Sequence, residues 1–304
     1  RIENVGTRPA ERITSNDEER KRQGFEIQTT FSFDESSYTA KLDVEDDLGD
    51  ILSVDYAQAA YISRINKGLR RRKDQAQVGF HINPKTGVWL GQPNENEAQN
   101  NPERIVQLIV PLVEDRKNAL LIRFNERWVA DLGEDEEKTL TTVQHALARG
   151  IEAVFQLEEG EILVEPTPSR KNRKALLFYE AAEGGAGALG QLISEPESLA
   201  KVVQKALEIM HFDPSTFASA AADITKLSEQ EHVDCVAGCY RCVLSYFNQP
   251  DHENIDRRNV DAQKMLLRLA YSATSPKDGP SDAPPSDTTV DETDVTSAVA
   301  DEFL

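Results

Sequence analysis

The sequence predicts an α+β protein: a mixed or antiparallel sheet in the N-terminal half, a helical C-terminal part with a cysteine-rich zinc-type turn, and a disordered acidic tail. Three observations carry that expectation. Apolar residues up to Phe124 alternate with polar ones in short runs between polar turns, the signature of half-buried strands. From Glu136 onward the apolar spacing changes to that of amphipathic helices, interrupted near Lys174 by one more strand. After Tyr271 the chain turns to Ser, Pro, Asp and Thr, a composition that buries too little apolar surface to pack. The expected divisions are 1–173, mainly β; 174–272, with the cysteines; and 273–304, the tail. At 304 residues the chain can bury one large core or two small ones.

Taken in order, Thr14 to Arg20 offers a helix cap with acidic first-turn residues, closed by Gly24. Phe25 to Phe33 alternates as a strand, Thr39 to Val44 as a second and Ile51 to Val54 as a third. Tyr56 to Asn66 fits either helix or strand. Gly79 to Leu90 reads as strand, turn, strand, with Pro84 and Gly87 placing the turn, and Gly91 to Pro102 as a polar loop. Ile105 to Val113 and Ala119 to Phe124 form a hairpin if Glu114 to Asn118 is its turn. Glu136 to Arg149 is an amphipathic helix that Gly150 stops. Ile151 to Phe155 and Glu161 to Val164 are helix end or short strands, and Pro166 to Arg173 is a polar loop. The strand Lys174 to Tyr179 then runs into a turn with Gly184, Gly185 and Gly187, which serves close packing or an anion contact. Glu197 to Met210 is a helix, Pro214 to Leu227 a surface helix and Asn254 to Leu269 the last helix.

The net charge of -19 is unevenly placed. Lys277 to Leu304 holds eight carboxylates against one lysine, which leaves about -12 on the remainder. Arg64, Lys67, Arg70, Arg71, Arg72 and Lys73 form a basic cluster able to keep a local positive field within an acidic chain, and so to touch DNA phosphates. No run of 18 apolar residues is present, so no membrane span is expected, and a cytoplasmic setting follows.

All three cysteines and two of the five histidines fall within the 21 residues His232 to His252. Cys239-x2-Cys242 supplies two thiolates from one turn, and Cys235 can reach the same point. A tetrahedral zinc then needs one more ligand. His232, three residues before Cys235, makes a compact set with Cys235, Cys239 and Cys242; His211, His252 and Asp234 compete with it, as does a donor from elsewhere. Buried apolar thiols in a helical core are the alternative. The odd cysteine count argues against a disulfide framework. No nucleotide-binding Gly-rich motif, Gly-x-Ser-x-Gly elbow or His-Glu-x2-His pair occurs, so no catalytic residues are assigned.

Gly238 to His252, followed by Ile255-Asp256-Arg257-Arg258, resembles the MrfA-type helicase C-terminal zinc-binding (MZB) domain family, found with DEAD/DEAH-like DNA helicases. Leu177 to Gly187 is similar to that family's strand and Gly-Gly-x-Gly turn, and the resemblance extends over roughly residues 1–270. It implies an accessory module of a superfamily two helicase, with ATP used only by the motor chain or domain, and a structural zinc. Four cysteines usually hold that metal; Cys235, Cys239 and Cys242 match three, and here a substitute replaces the fourth or the site has degenerated. Relatives occur in DNA repair and in DISARM antiphage defence, and the Leu-Ser-Tyr-x-Asn-Gln-Pro-Asp-His form resembles the defence group. The resemblance implies DNA contacts at Arg64, Lys67 and Arg70 to Lys73, with Arg241, Arg257 and Arg258 beside the cysteine turn as further candidates. A purely structural module that holds a motor in place is the alternative.

Overall fold

A computed structural model describes residues 24–33, 39–70, 76–90, 106–182, 184–231 and 233–277. The Thr14 to Arg20 cap, the loop Gly91 to Pro102 and the tail after Lys277 lie outside the described residues. The strands are β1 (Phe25–Ser32), β2 (Thr39–Asp46), β3 (Gly49–Leu69), β4 (Phe80–Ile82), β5 (Trp89–Leu90), β6 (Gln107–Ile109), β7 (Leu112–Phe124), β8 (Ile162–Ser169), β9 (Asn172–Glu180) and β10 (Ala273–Pro276). The helices are α1 (Glu126–Asp131), α2 (Glu136–Val154), α3 (Ala188–Ser194), α4 (Ser198–Ile209), α5 (Phe217–Ala222) and α6 (Val260–Ala270). The chain divides into two units: Phe31–Ile62 with Asp115–Asp278, and Arg1–Thr30 with Ser63–Glu114 and Gly279–Leu304.

The larger unit is α+β, as expected. Its strands are ordered β10-β2-β3-β7-β9-β8, and the β10/β2, β2/β3, β7/β9 and β9/β8 pairs are antiparallel. The two-residue period of a strand sorts its side chains onto two faces. Leu120 pairs with Phe178 and Ile122 with Leu176, and these join the core built with the helices. Ala119 pairs with Tyr179 and Leu121 with Leu177, and these belong to a second cluster with Ala57, Ala60 and Ile62, closed by Phe31 and Phe33. Burial on both faces explains why β9 reads as a continuous apolar run.

On the helical side, α2 presents Leu140, Val143, Leu147 and Ile151, α4 presents Val202, Val203 and Ala206, and α6 presents Met265, Leu266 and Leu269, all buried. Gly150 does not stop α2. A Cβ there would sit 2.5 Å from Val202 O of α4, so this glycine lets two helices approach closely. The helix runs four residues further, to Val154, and beyond its cap Phe155, Gln156 takes φ 55° while the Leu157 amide bonds Glu152 O at 2.8 Å.

Of the two alternatives for Tyr56 to Asn66 the strand holds, as the middle of the 21-residue β3. Other expectations are corrected. Glu114 to Asn118 is no turn: β7 runs straight through it, because Arg116 lies over the Tyr61 ring and Asn118 bonds Glu180 across the sheet. Pro166 to Ser169 completes β8. Pro214 to Leu227 is two 3-10 turns around the short α5, and the last helix starts at Val260, after a 3-10 segment over Tyr246–Asn254. Ala273–Pro276, placed by the sequence in the tail, is a strand paired to β2.

In the smaller unit, β5-β4-β6 is a three-stranded antiparallel sheet. Gly87, at φ 70°, closes the β4–β5 turn through its amide to Asn83 O at 2.8 Å. Gly79, at φ 91°, leaves room for Ile109 O, which would lie 2.5 Å from a Cβ.

Candidate metal centre

The cysteine turn is built by its own backbone. The Cys242 amide bonds Cys239 O at 3.0 Å, Leu244 N bonds the same carbonyl at 3.1 Å, and the Cys239 amide donates to Cys242 Sγ at 3.1 Å. An amide aimed at a sulfur favours the thiolate. Further along, Ser245 and Asn248 form a capping box that fixes the chain leaving the turn.

The fourth donor comes from the end of α4. Met210 caps the helix, His211 takes the left-handed conformation at φ 68°, the His211 amide bonds Glu208 O at 3.0 Å and Phe212 N bonds Leu207 O at 3.1 Å. This is a Schellman motif with histidine where glycine or asparagine is usual. A side chain in this conformation costs of order 1–2 kcal/mol, and from it the imidazole reaches Cys239.

Donor atoms of His211, Cys235, Cys239 and Cys242 lie within 4.8 Å of one another. Cys235 Sγ and Cys242 Sγ are 3.8 Å apart, and His211 Nε2 is 3.3 Å from Cys239 Sγ. Zinc bonds of about 2.3 Å to sulfur and about 2.0 Å to nitrogen give tetrahedral edges of about 3.8 Å and about 3.5 Å. The donor set and spacing therefore fit a tetrahedral ion.

The thiols disagree in acidity. Burial and the neighbouring Cys242 push Cys235 up to about 12, and burial also raises Cys242. Burial opposes ionisation of Cys239 too, but the hydrogen bond from His211 and the Arg241 amide outweigh it and hold that thiol at about 6. Three thiols this close repel one another as thiolates, and a divalent cation at their centre would remove the repulsion.

Two arginines brace the set. Arg257 is fully buried. Its guanidinium bonds Cys235 O at 2.6 and 3.1 Å, Met210 O at 3.1 Å and Glu229 Oε1 at 2.7 Å, tying the residue before His211 to the first cysteine. Its own amide bonds Ala237 O at 2.8 Å. Arg149 of α2 holds Cys242 O at 3.1 Å.

The remaining candidates are placed as follows. His232 lies outside the described residues. His252 bonds Ser245 O at 3.0 Å and Asn248 Oδ1 at 2.9 Å, and Asp234 is exposed, so neither joins the cluster. Arg257 is corrected from a DNA contact to an internal brace, because its guanidinium is enclosed by carbonyls and Glu229. Arg241 is exposed, and Arg258 is exposed while bonding Glu229 at 3.2 Å. Arg70 is exposed with Nε on Phe25 O at 3.1 Å, Lys67 is 3.9 Å from Glu26, and Arg64 is half-buried. Arg71, Arg72 and Lys73 lie outside the described residues.

The glycine turn is filled from within. Glu180 is buried and accepts from Gly187 N and Leu189 N, both at 3.0 Å, and from Asn118 at 3.1 Å. A Cβ on Gly185 would overlap its carboxylate. His145, which has no acidic partner nearby in sequence, meets Asp251 at 3.0 Å; Arg173, also buried, bonds the same carboxylate at 3.1 Å. Burial pushes His145 down, against the opposing pull of Asp251.

Residues 143–243 match the model of the MZB family, the MrfA Zn-binding domain, and this span holds all four donors. No curated protein matches. The crystal structure of a DUF1998 helicase, MrfA, bound to DNA is similar with a TM-score of 0.41 at 11% identity, over 81% of this chain and 26% of that chain. The present chain thus spans about a quarter of that helicase's length. No described helix is long and apolar enough to cross a membrane.

Proposed function

We propose that the chain is a helicase-associated accessory module braced by a structural zinc, a reading supported by the match of residues 143–243 to the MrfA-type zinc-binding (MZB) domain family. The observation that carries this is the convergence of His211, Cys235, Cys239 and Cys242 within 4.8 Å inside the matched span. Four protein donors close the coordination sphere, which is the arrangement of structural rather than catalytic zinc. Bound there, zinc would hold the thiolates ionised and fasten the cysteine turn to the end of α4. The protein's own part is to position the donors: the Schellman turn orients His211, and Arg257 fixes the two ligand segments together.

In this reading the module docks on a superfamily two motor, which supplies ATP hydrolysis, and helps bind or guide DNA in the cytoplasm during antiphage defence or DNA repair. The match of residues 143–243 to the MZB family supports the motor association, and the basic stretch Arg64, Lys67, Arg70, Arg71, Arg72 and Lys73 supports the DNA contact. Arg241 and Arg258 are the exposed cations beside the cysteine turn.

Metal analysis of the purified chain tests the first part: one zinc per chain, lost in Cys239→Ala, is expected, and unchanged metal content in that variant refutes the assignment. A salt titration of DNA affinity tests the second. Phosphate contacts require binding to weaken steeply with salt. Affinity that ignores salt refutes them, and tight motor association without DNA affinity leaves a purely structural module.

A further inference from the structure

We propose that the β5-β4-β6 sheet is a stacking platform for the unpaired bases of single-stranded DNA, with Trp89 as its open ring. The proposal deepens the DNA-binding reading and rests on it. Trp89 is 59% exposed, which is unusual for the largest apolar side chain. It is nevertheless held: its ring meets Phe80 edge-on, with centroids 5.1 Å apart, and Phe80 in turn packs against Phe25 at 5.9 Å. A ring fixed from behind and open in front loses little entropy on accepting a base.

Register places Phe80, Ile82, Trp89 and Ile109 on one sheet face, since Ile82 pairs with Trp89 and Phe80 with Ile109. Two exposed cationic residues belong to the segments that carry these rings. Arg70 binds the Phe25 carbonyl at 3.1 Å, and Lys85 sits at the tip of the β4–β5 hairpin that carries Trp89. Residues 63–114 contain eight Arg or Lys and five Asp or Glu, a balance of +3 in a chain of net charge -19. Aromatic rings beside a positive groove are how single strands are held irrespective of sequence. A protein-docking face would be poor in lysine.

The test uses the full chain with fluorescent oligothymidine and with blunt duplex DNA of matching length. Trp89→Ala is expected to weaken oligothymidine binding on the order of ten-fold, leaving duplex affinity and thermal stability unchanged, and Trp89→Phe is expected to keep most of the affinity. In Trp128→Phe, Trp89 is the remaining tryptophan, and its emission is expected to fall as oligothymidine is added. If the wild type binds oligothymidine but Trp89→Ala binds equally well and the emission is unmoved, the platform is overturned while the DNA-binding reading survives. If the wild type binds neither DNA, both fall. Loss of motor association in Trp89→Ala at unchanged DNA affinity makes the face a protein interface and also overturns the proposal.

Discussion

Replacing His211 by glycine separates a metal ligand from a helix cap, because the two roles predict opposite signs. His211 sits at φ 68°, where a side chain costs about 1–2 kcal/mol and glycine costs little. Were it only the residue after the cap, His211→Gly would stabilise the protein by about 1 kcal/mol with or without metal. As a ligand it is worth more than the outer-shell groups whose loss lowers metal affinity 10- to 100-fold. A 100-fold loss is about 2.8 kcal/mol, so zinc-loaded His211→Gly is expected to be less stable by about 2 kcal/mol after the backbone gain. In chelator-treated protein the same backbone gain is offset by the lost bond to Cys239, 3.3 Å in the native protein and worth about 1 kcal/mol, leaving a change near zero. Urea unfolding with and without chelator, together with zinc competition against a chromophoric chelator, gives all the quantities. An equal change under both conditions would falsify the ligand assignment.

Three further outcomes follow from particular contacts. Arg257→Lys replaces a planar fork that reaches Cys235 O, Met210 O and Glu229 by a single ammonium, so zinc affinity is expected to drop about ten-fold in the competition assay, with DNA affinity unchanged. Gly150→Ala gains about 1 kcal/mol of helix propensity but drives a methyl to 2.5 Å from Val202 O; net destabilisation of about 1–2 kcal/mol is expected in denaturant melts, and a more stable variant would contradict the close approach. Asp46 is joined by Arg268 through bonds of 2.8 and 2.7 Å, and that hydrogen-bonded pairing holds its carboxyl below the ordinary 3.8. A depressed carboxylate stabilises the fold above its unfolded pKa and loses that contribution as pH falls through the folded value. Asp46→Asn is therefore expected to cost about 1 kcal/mol at pH 7, the pair being partly exposed, and to flatten the decline of stability below about pH 4.

Period-two alternation made β1 and β2 legible, and β9, buried on both faces, was legible instead as a continuous apolar run. They were misread where a polar run is satisfied laterally. Glu114 to Asn118 carries the residues of a turn, yet Asn118 and Arg116 find Glu180 and Tyr61, contacts 62 and 55 residues away that no local pattern reports. The end of α2 failed for a related reason. Glycine marks a stop only when it supplies positive φ; at Gly150 it supplies space, while Gln156 and His211 supply the positive φ without being glycine. The cysteine turn was legible because covalent spacing alone brings Cys239 and Cys242 together, whereas the imidazole that reaches Cys239 lies 28 residues away. The one local hint was a helical stripe ending at Met210-His211-Phe212 with no glycine to end it. Arg257 carried no such hint, since an arginine after a cysteine cluster reads equally as a phosphate contact and as a brace; only its burial decides.

The donors come from two segments held in register by helix packing, which ties metal retention to the bundle rather than to the turn alone. His211 follows directly on the α4 cap, and α4 is seated against α2 at the Gly150–Val202 approach. Arg257, just before α6, then links Met210 to Cys235. A displacement of α4 therefore moves His211 relative to the thiols without touching any donor. Gly150→Ala is accordingly expected to weaken zinc binding as well as stability, whereas Asp46→Asn, whose partner lies at the β2 end of α6, is expected to lower stability and leave zinc affinity unchanged. Both variants run through the same zinc competition assay decide the matter: equal zinc affinity in the two would show that the turn holds its metal independently of the seating of α4 on α2.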